Sequence, residues 1–143
     1  MNPRIKDVAG ILRYIKAGKS FNYAIDKVKF LSVGDGKCSA ELKIDDEHVN
    51  SMGTLHGGLS ATLVDCITSF ALMTKISCQH VSVDMHVSYV KGARKGEDVL
   101  VNASVRRIGK AIVFSEARIT DKKTGDLLVE GLHTQYLLRD KCC

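Results

Sequence analysis

Gly57-Gly58-Leu59-Ser60-Ala61-Thr62-Leu63-Val64-Asp65-Cys66-Ile67-Thr68-Ser69-Phe70-Ala71-Leu72-Met73-Thr74-Lys75 is the stretch that decides how this chain folds. Leu59, Leu63, Cys66, Ile67, Phe70 and Met73 recur with a 3.6-residue period, which predicts a long helix over 57–75. Ala61 and Ala71 let neighbouring elements approach closely. No apolar run reaches the roughly 18 residues that suggest a membrane span, and Asp65 breaks this one. Such a helix reads as a buried one, and something must cover it.

The cover follows in sequence. Val81, Val83, Met85, Val87 and Tyr89 alternate with polar residues, as do Val99, Val101, Ala103 and Val105. Strands are predicted over 80–90, 97–107, 110–120 and 127–137, with a turn at Lys123-Thr124-Gly125-Asp126. Upstream, 26–33 and 37–44 read as two strands joined across Gly34-Asp35-Gly36, which offers the positive-φ positions of a tight hairpin. Asp45 to Asn50 reads as a loop. Ile5, Val8, Leu12 and Ile15 share one face of an amphipathic helix over 4–17, which Gly18 stops. Consecutive strands with short connections imply an antiparallel sheet, here curved around the central helix. The fold class is α+β, in one domain over residues 1–143 with a basic N-terminal helix in 1–20.

Five of the basic residues, Arg4, Lys6, Arg13, Lys16 and Lys19, crowd the first twenty positions against Asp7 alone. The rest of the chain is nearly neutral, although the whole carries +5. A basic amphipathic N-terminus suits a mitochondrial presequence or a membrane-surface helix, and equally an ordinary solvated face. Nucleic acid is a poor partner, because no aromatic residues interleave with a basic stripe. The cysteines (Cys38, Cys66, Cys78, Cys142 and Cys143) are odd in number, form no C-x-x-C pair and follow no secretory signal. They imply a reducing compartment without a disulfide framework, with Cys142-Cys143 as an oxidation-prone tail.

The chemistry is concentrated where the loop enters the helix, at Glu47-His48-Val49-Asn50-Ser51-Met52-Gly53-Thr54-Leu55-His56-Gly57-Gly58. Free N–H groups at a helix start favour negative charge, and glycines let a substrate approach the backbone. Acyl transfer through an oxyanion suits that geometry. A structural helix cap would explain the same residues. Asp65 interrupts an apolar helix, where an unpaired carboxylate is costly to bury. Hydroxyls such as Ser69 or Ser82 offer one explanation, and a carboxylate tuned as a base offers another. Gly57 and Asp65 lie eight residues apart, hence about 12 Å along one helix axis. One reacting carbonyl cannot touch both, so two antiparallel helices from two chains are expected to share the work. His48, His80, His86 and His133 show no metal-ligand spacing. Cys66 points about 100° away from Asp65 and reads as a core thiol.

Asn50-Ser51-Met52-Gly53-Thr54-Leu55-His56-Gly57-Gly58 followed by Ala61-Thr62-Leu63-Val64-Asp65 resembles the hot-dog-fold thioesterases of the PaaI-like group. The likeness continues through Val81-Ser82-Val83-Asp84-Met85, Lys95-Gly96-Glu97-Asp98 and Gly131-Leu132-His133-Thr134. It implies a long helix wrapped by an antiparallel sheet, a homodimer with active sites at the interface, and dimers paired into homotetramers. It implies Asp65 as nucleophile or general base, the N–H of Gly57 as oxyanion donor and His56 as support for that turn. Asn50 would position the thioester or the water, and Ser82 would hydrogen-bond beside the carboxylate. Coenzyme A would meet Tyr89, Lys91 and Arg94 at one strand end and Arg107, Gly109 and Lys110 at another, with Ser82, Asp84 and Tyr136. The activity implied is hydrolysis of medium- to long-chain acyl-CoA, without metal or organic cofactor. The cytosol or the mitochondrion would be its location, without integral membrane association. Hydration of an enoyl-CoA and non-catalytic acyl-CoA binding are the rival expectations.

Overall fold

The computed structural model describes residues 4–139, so Cys142 and Cys143 lie outside the described residues. Helix α1 (Val8–Lys16) is capped by Asp7, whose carboxylate accepts from the Gly10 N–H at 2.7 Å. Strands β1 (Lys29–Gly34) and β2 (Lys37–Lys43) form the expected hairpin, with Asp35 and Gly36 at φ 50 and 73. Helix α2 (Gly57–Met73) follows, then β3 (Gln79–Tyr89), β4 (Asp98–Ile108), β5 (Ile112–Asp121) and β6 (Leu127–Leu138). The six strands make one antiparallel sheet in the order β1-β2-β4-β5-β6-β3.

Alternate residues of that sheet face α2. Ala40, Leu42, Val99, Val101, Ala117 and Ile119 close over Leu63, Val64 and Ile67, all at most 2% exposed. Each Val, Leu or Ile among them contributes roughly 1.5–3 kcal/mol by leaving water. The sheet comes closest at Gly131, where a Cβ would lie 2.6 Å from Val64 Cγ1. Helix α1 adds Ile11 to the same core with Tyr14 packed against it, and the Phe70 ring meets those of Tyr14 and Phe30 in T-shaped pairs.

Helix α1 starts at Val8 rather than at 4 and buries Ile11 while Leu12 is 42% exposed, and three further local features depart from the sequence expectation. Residues 21–25 form a turn of 3₁₀ helix capped by Ser20, so β1 starts at Lys29 rather than 26. The 45–50 loop contains a second such turn, in which Asp45 and His48 cap each other. The third departure is a bulge between Ser82 and Asp84 that breaks the alternation of β3. Directly paired residues share a face, and Val81 pairs with the outward Tyr136 while Met85 pairs with the buried His133. Val81 and Val83 are therefore 48% and 56% exposed instead of facing the helix. One extra residue shifts the phase of a strand, and it turns His80 and Ser82 inward.

Candidate active site

The start and the middle of α2 carry different chemistry. At its start, His56 is the N-cap and its Nδ1 accepts from the Gly58 N–H at 2.8 Å. Among the described residues nothing accepts from the N–H of Gly57, which opens onto a cavity of about 310 Å³. Asn50, Thr54, Tyr89 and Lys91 also line that cavity. Asn50 Oδ1 accepts from the N–H groups of Met52 and Thr54, and its Nδ2 donates to Thr54 Oγ1 at 3.0 Å. An amide carries two N–H donors, so one remains for a ligand. Tyr89 Oη donates to the Gly57 carbonyl at 2.9 Å. A Cβ at Gly57 would come within 3.2 Å of the tyrosine ring, which keeps this position small. Leu55 N–H bonds Ala93 O, and Thr54 bridges to Arg94, so the loop and the basic 91–94 segment are held together.

Two turns on, Asp65 stands over a buried polar cluster. The Asp65 side chain is 48% exposed in this chain, less buried than its apolar context suggested. His133 Nε2 lies 3.9 Å from Asp65 Oδ1 and 2.7 Å from Ser82 Oγ, while His133 Nδ1 meets Thr68 Oγ1 at 2.7 Å. Burial holds the His133 imidazole below its ordinary value, and the charge of Asp65 opposes that effect. Ser69 does not cap Asp65; its hydroxyl accepts from Gln135 Nε2, and Gln135 Oε1 accepts from Ser115. Cys66 packs beside Asn22, and burial with the charge of Asp65 pushes its thiol up to about 12. A thiol so hard to ionise is a poor nucleophile.

The expected CoA contacts divide in the same way. Tyr89, Lys91 and Arg94 sit at the α2 N-terminal end, with Lys91 paired to Asp126 at 2.6 Å. Arg107, Gly109 and Lys110 lie around the β4–β5 turn, at the opposite end of the sheet. Asp84 and Tyr136 lie on the outer face of the sheet, Asp84 paired with Thr134 and Tyr136 with Val81 and Ile112. A single chain does not bring these groups together.

Comparison with known proteins decides the family. The profile of the Thioesterase superfamily matches residues 52–128. Acyl-coenzyme A thioesterase 13 of Homo sapiens is 37% identical over 138 residues, spanning 96% of this chain and 99% of that protein. The chain belongs to the thioesterase superfamily. Its fold is that of the crystal structure of zebra fish thioesterase superfamily member 2, with TM-score 0.85, 39% identity, and 89% and 93% of the two chains covered. Mus musculus thioesterase superfamily member 2 gives TM-score 0.83 at 37% identity, covering 92% and 98%. The hot-dog architecture expected from the sequence is therefore present.

His133 is the neighbour of Asp65 and Ser82 that sequence reading passed over, having weighed it as a metal ligand and quoted it only within the family likeness. The signal was available: Val129, Gly131, His133, Gln135 and Leu137 occupy the inward positions of β6, and two of the five are polar. Polar side chains in a core-facing register need partners, and these partners come from α2, β3 and β5. Among the described residues no His, Cys, Asp and Glu side chains are grouped to hold a metal ion.

Proposed function

We propose that two copies of this chain form an acyl-CoA thioester hydrolase, each active site joining the α2 start of one copy to Asp65 of the other. The single observation that carries this is the separation of the two half-sites. The cavity at Gly57 is lined by Asn50, Tyr89 and Lys91 but not by Asp65 or Ser82, and eight residues of helix, about 12 Å, lie between them. The relatives named acyl-coenzyme A thioesterase support the substrate class.

β3 is the sheet edge that could be shared. It is eleven residues long, its outer rim is open, and Val81 and Val83 are exposed there. Long apolar edges invite pairing with another chain. Antiparallel pairing of two β3 strands would set the 89–94 end of one copy against the 79–82 end of the other. Lys91 and Arg94 would then meet Arg107 and Lys110 of the second copy, and the CoA phosphates would have cations on both sides. Phe114, Leu132 and Tyr136 expose a further apolar patch on the outer sheet face, which suits pairing of dimers into tetramers.

In the chemistry we infer, the thioester carbonyl accepts from the Gly57 N–H and from Asn50. Asp65 either attacks the carbonyl carbon, giving an acyl anhydride with its carboxylate that water then cleaves, or takes a proton from a water that attacks instead. The C–S bond breaks, CoA leaves as thiolate, and the acid is released with the oxygen of water. Ser82, oriented by His133, steadies the carboxylate and its water. Medium to long acyl chains suit the groove of about 570 Å³ beside His56 and Gly58, whose walls include Phe21, Tyr23 and Leu59. No helix of the described residues is long and apolar enough to cross a membrane. The cytosol or the mitochondrial matrix would supply both the substrate and a reducing environment. A panel of acyl-CoA esters of increasing length, assayed by thiol release, tests the reading. Turnover rising through the medium and long chains supports it. Loss of enoyl absorbance without thiol release would replace it with a hydratase.

A further inference from the structure

Gly57 and Gly58 open α2 side by side, and glycine is the residue least able to hold a backbone direction by itself. The first N–H groups of a helix also lack partners in a preceding turn. An oxyanion donor on such a segment depends on support from its surroundings. Both flanks of the Gly57 N–H are tied down. The His56 N–H donates to the His48 carbonyl at 2.8 Å, and the Gly58 N–H donates to His56 Nδ1, also at 2.8 Å. The His56 carbonyl accepts from the Ser60 N–H at 3.0 Å. Those bonds are local. One more comes from another element: Tyr89 Oη, thirty-two positions on, donates to the Gly57 carbonyl at 2.9 Å.

The reach of Tyr89 starts from a fixed base. It closes β3 opposite Val129, and the N–H groups of Val90 and Lys91 behind it both donate to the Leu128 carbonyl. Its ring lies against Gly57, with Cε1, Cζ and Oη at 3.2, 3.4 and 3.6 Å from where a Cβ would stand. A phenol has one proton to donate, and this one is committed to Gly57. The oxygen keeps acceptor capacity, which suits an amide N–H and not the oxygens of a phosphate. Donating to a CoA phosphate would mean letting go of the helix.

We propose that Tyr89 is a positioning residue for the oxyanion donor: its hydroxyl holds the Gly57 backbone so that the N–H already points where negative charge develops. This inference rests on the hydrolase reading above, and it gives Tyr89 a task other than contact with coenzyme A. A backbone donor stabilises a transition state fully only when its direction is set beforehand, since a hydrogen bond weakens as it bends and turning a donor costs reorganisation. The His56 bonds fix the peptide before Gly57, and the Tyr89 bond fixes the peptide after it. The freedom that lets a substrate approach this glycine is thus removed without adding a side chain.

Tyr89→Phe removes the hydroxyl and keeps the ring, and two measurements read the result. In acyl-CoA hydrolysis followed by thiol release, kcat should fall about tenfold with KM within about twofold, a smaller loss than the roughly 10²–10³ that goes with a whole donor. NMR relaxation of the Gly57 amide needs no turnover. Its order parameter should lie near the rigid value of about 0.85 in wild type and drop below about 0.7 in the variant. A KM that rises at unchanged kcat overturns the proposal and makes Tyr89 a direct contact of coenzyme A. Wild-type kcat and KM together overturn it too, as does a Gly57 order parameter equal in the two proteins. Each of these failures leaves hydrolysis by Asp65 intact. Absence of thiol release from wild type sinks the hydrolase reading itself, while the relaxation data still report whether Tyr89 holds Gly57.

Discussion

Gly131 and Val64 touch so closely that a single added carbon would lie 2.6 Å from one valine methyl and 2.8 Å from the other. Gly131 sits on β6 one inward position from His133, and Val64 directly precedes Asp65. The height of the carboxylate over its polar cluster is therefore set by a backbone-to-side-chain contact. Gly131→Ala should lower stability by about 1–3 kcal/mol, the usual effect of overpacking a filled core. Thermal unfolding measures that, and kcat should fall as well because α2 is pushed off the sheet. Gly131→Ala with a wild-type Tm would remove this contact from the account.

The His133 ring is wholly buried between two hydroxyls. His133→Phe keeps the bulk but removes one hydrogen bond each from Ser82 and Thr68, while Thr68 Oγ1 keeps the Val64 carbonyl, and each lost hydrogen bond costs about 0.5–1.5 kcal/mol. Denaturant titration should register the loss, and kcat should drop while KM changes little. A fall in KM affinity alone would mean that His133 serves binding rather than the reacting carboxylate.

His80 and His133 also fix the sign of the acid response. Burial lowers both from the ordinary 6.5, so the native state binds fewer protons than the unfolded chain below that pH. Their contribution to stability is complete above about pH 6.5 and is lost as pH falls toward the lowered native values. Urea midpoints measured from pH 7.5 down to pH 5 should therefore decline. The decline should be shallower in His80→Gln.

Lys91 is held by Asp126, which raises its pKa and competes with any phosphate for the ammonium. Lys91→Ala should raise KM for acyl-CoA several-fold, with the effect fading as salt increases. Asp126→Asn should act in the opposite direction and lower KM at low salt. KM values that are equal across these variants would take Lys91 out of the CoA site.

Much of the fold was readable in the chain because it rests on local periodicity. The helix over Gly57–Met73 and the strands from Asp98 to Leu138 follow patterns of 3.6 and 2 residues that need no distant partner. The β1–β2 turn was readable because Asp35 and Gly36 adopt the positive φ that the turn demands. What escaped depends on pairing across the sheet. The bulge at Val83 has no local signature, since an unbroken alternation of valines and polar residues runs through it. It is set by the gain from turning Ser82 onto His133, fifty-one positions away. The 3₁₀ turn at Phe21–Ile25 lies upstream of the strand expected over 26–33 and drew no expectation of its own. For the site, Gly57, Asn50 and Asp65 stood out through motif and misplaced charge. His133 did not, because an imidazole gains meaning only from what surrounds it.

The central claim, that one reacting bond is served by two chains, is tested most directly by mixing two inactive variants. Asn50→Ala spoils the half-site around Gly57, and Asp65→Ala spoils the other half-site. Each homodimer should retain under about one-hundredth of wild-type kcat, the usual scale for losing an oxyanion donor or a general base. Refolded together in equal amounts, half the dimers should be mixed, and each mixed dimer holds one site with both halves intact. Thiol release should then return to about a quarter of the wild-type rate per chain, as two-fold symmetry requires. A mixture that stays as inactive as its components, while mass spectrometry shows mixed dimers present, would contradict the claim.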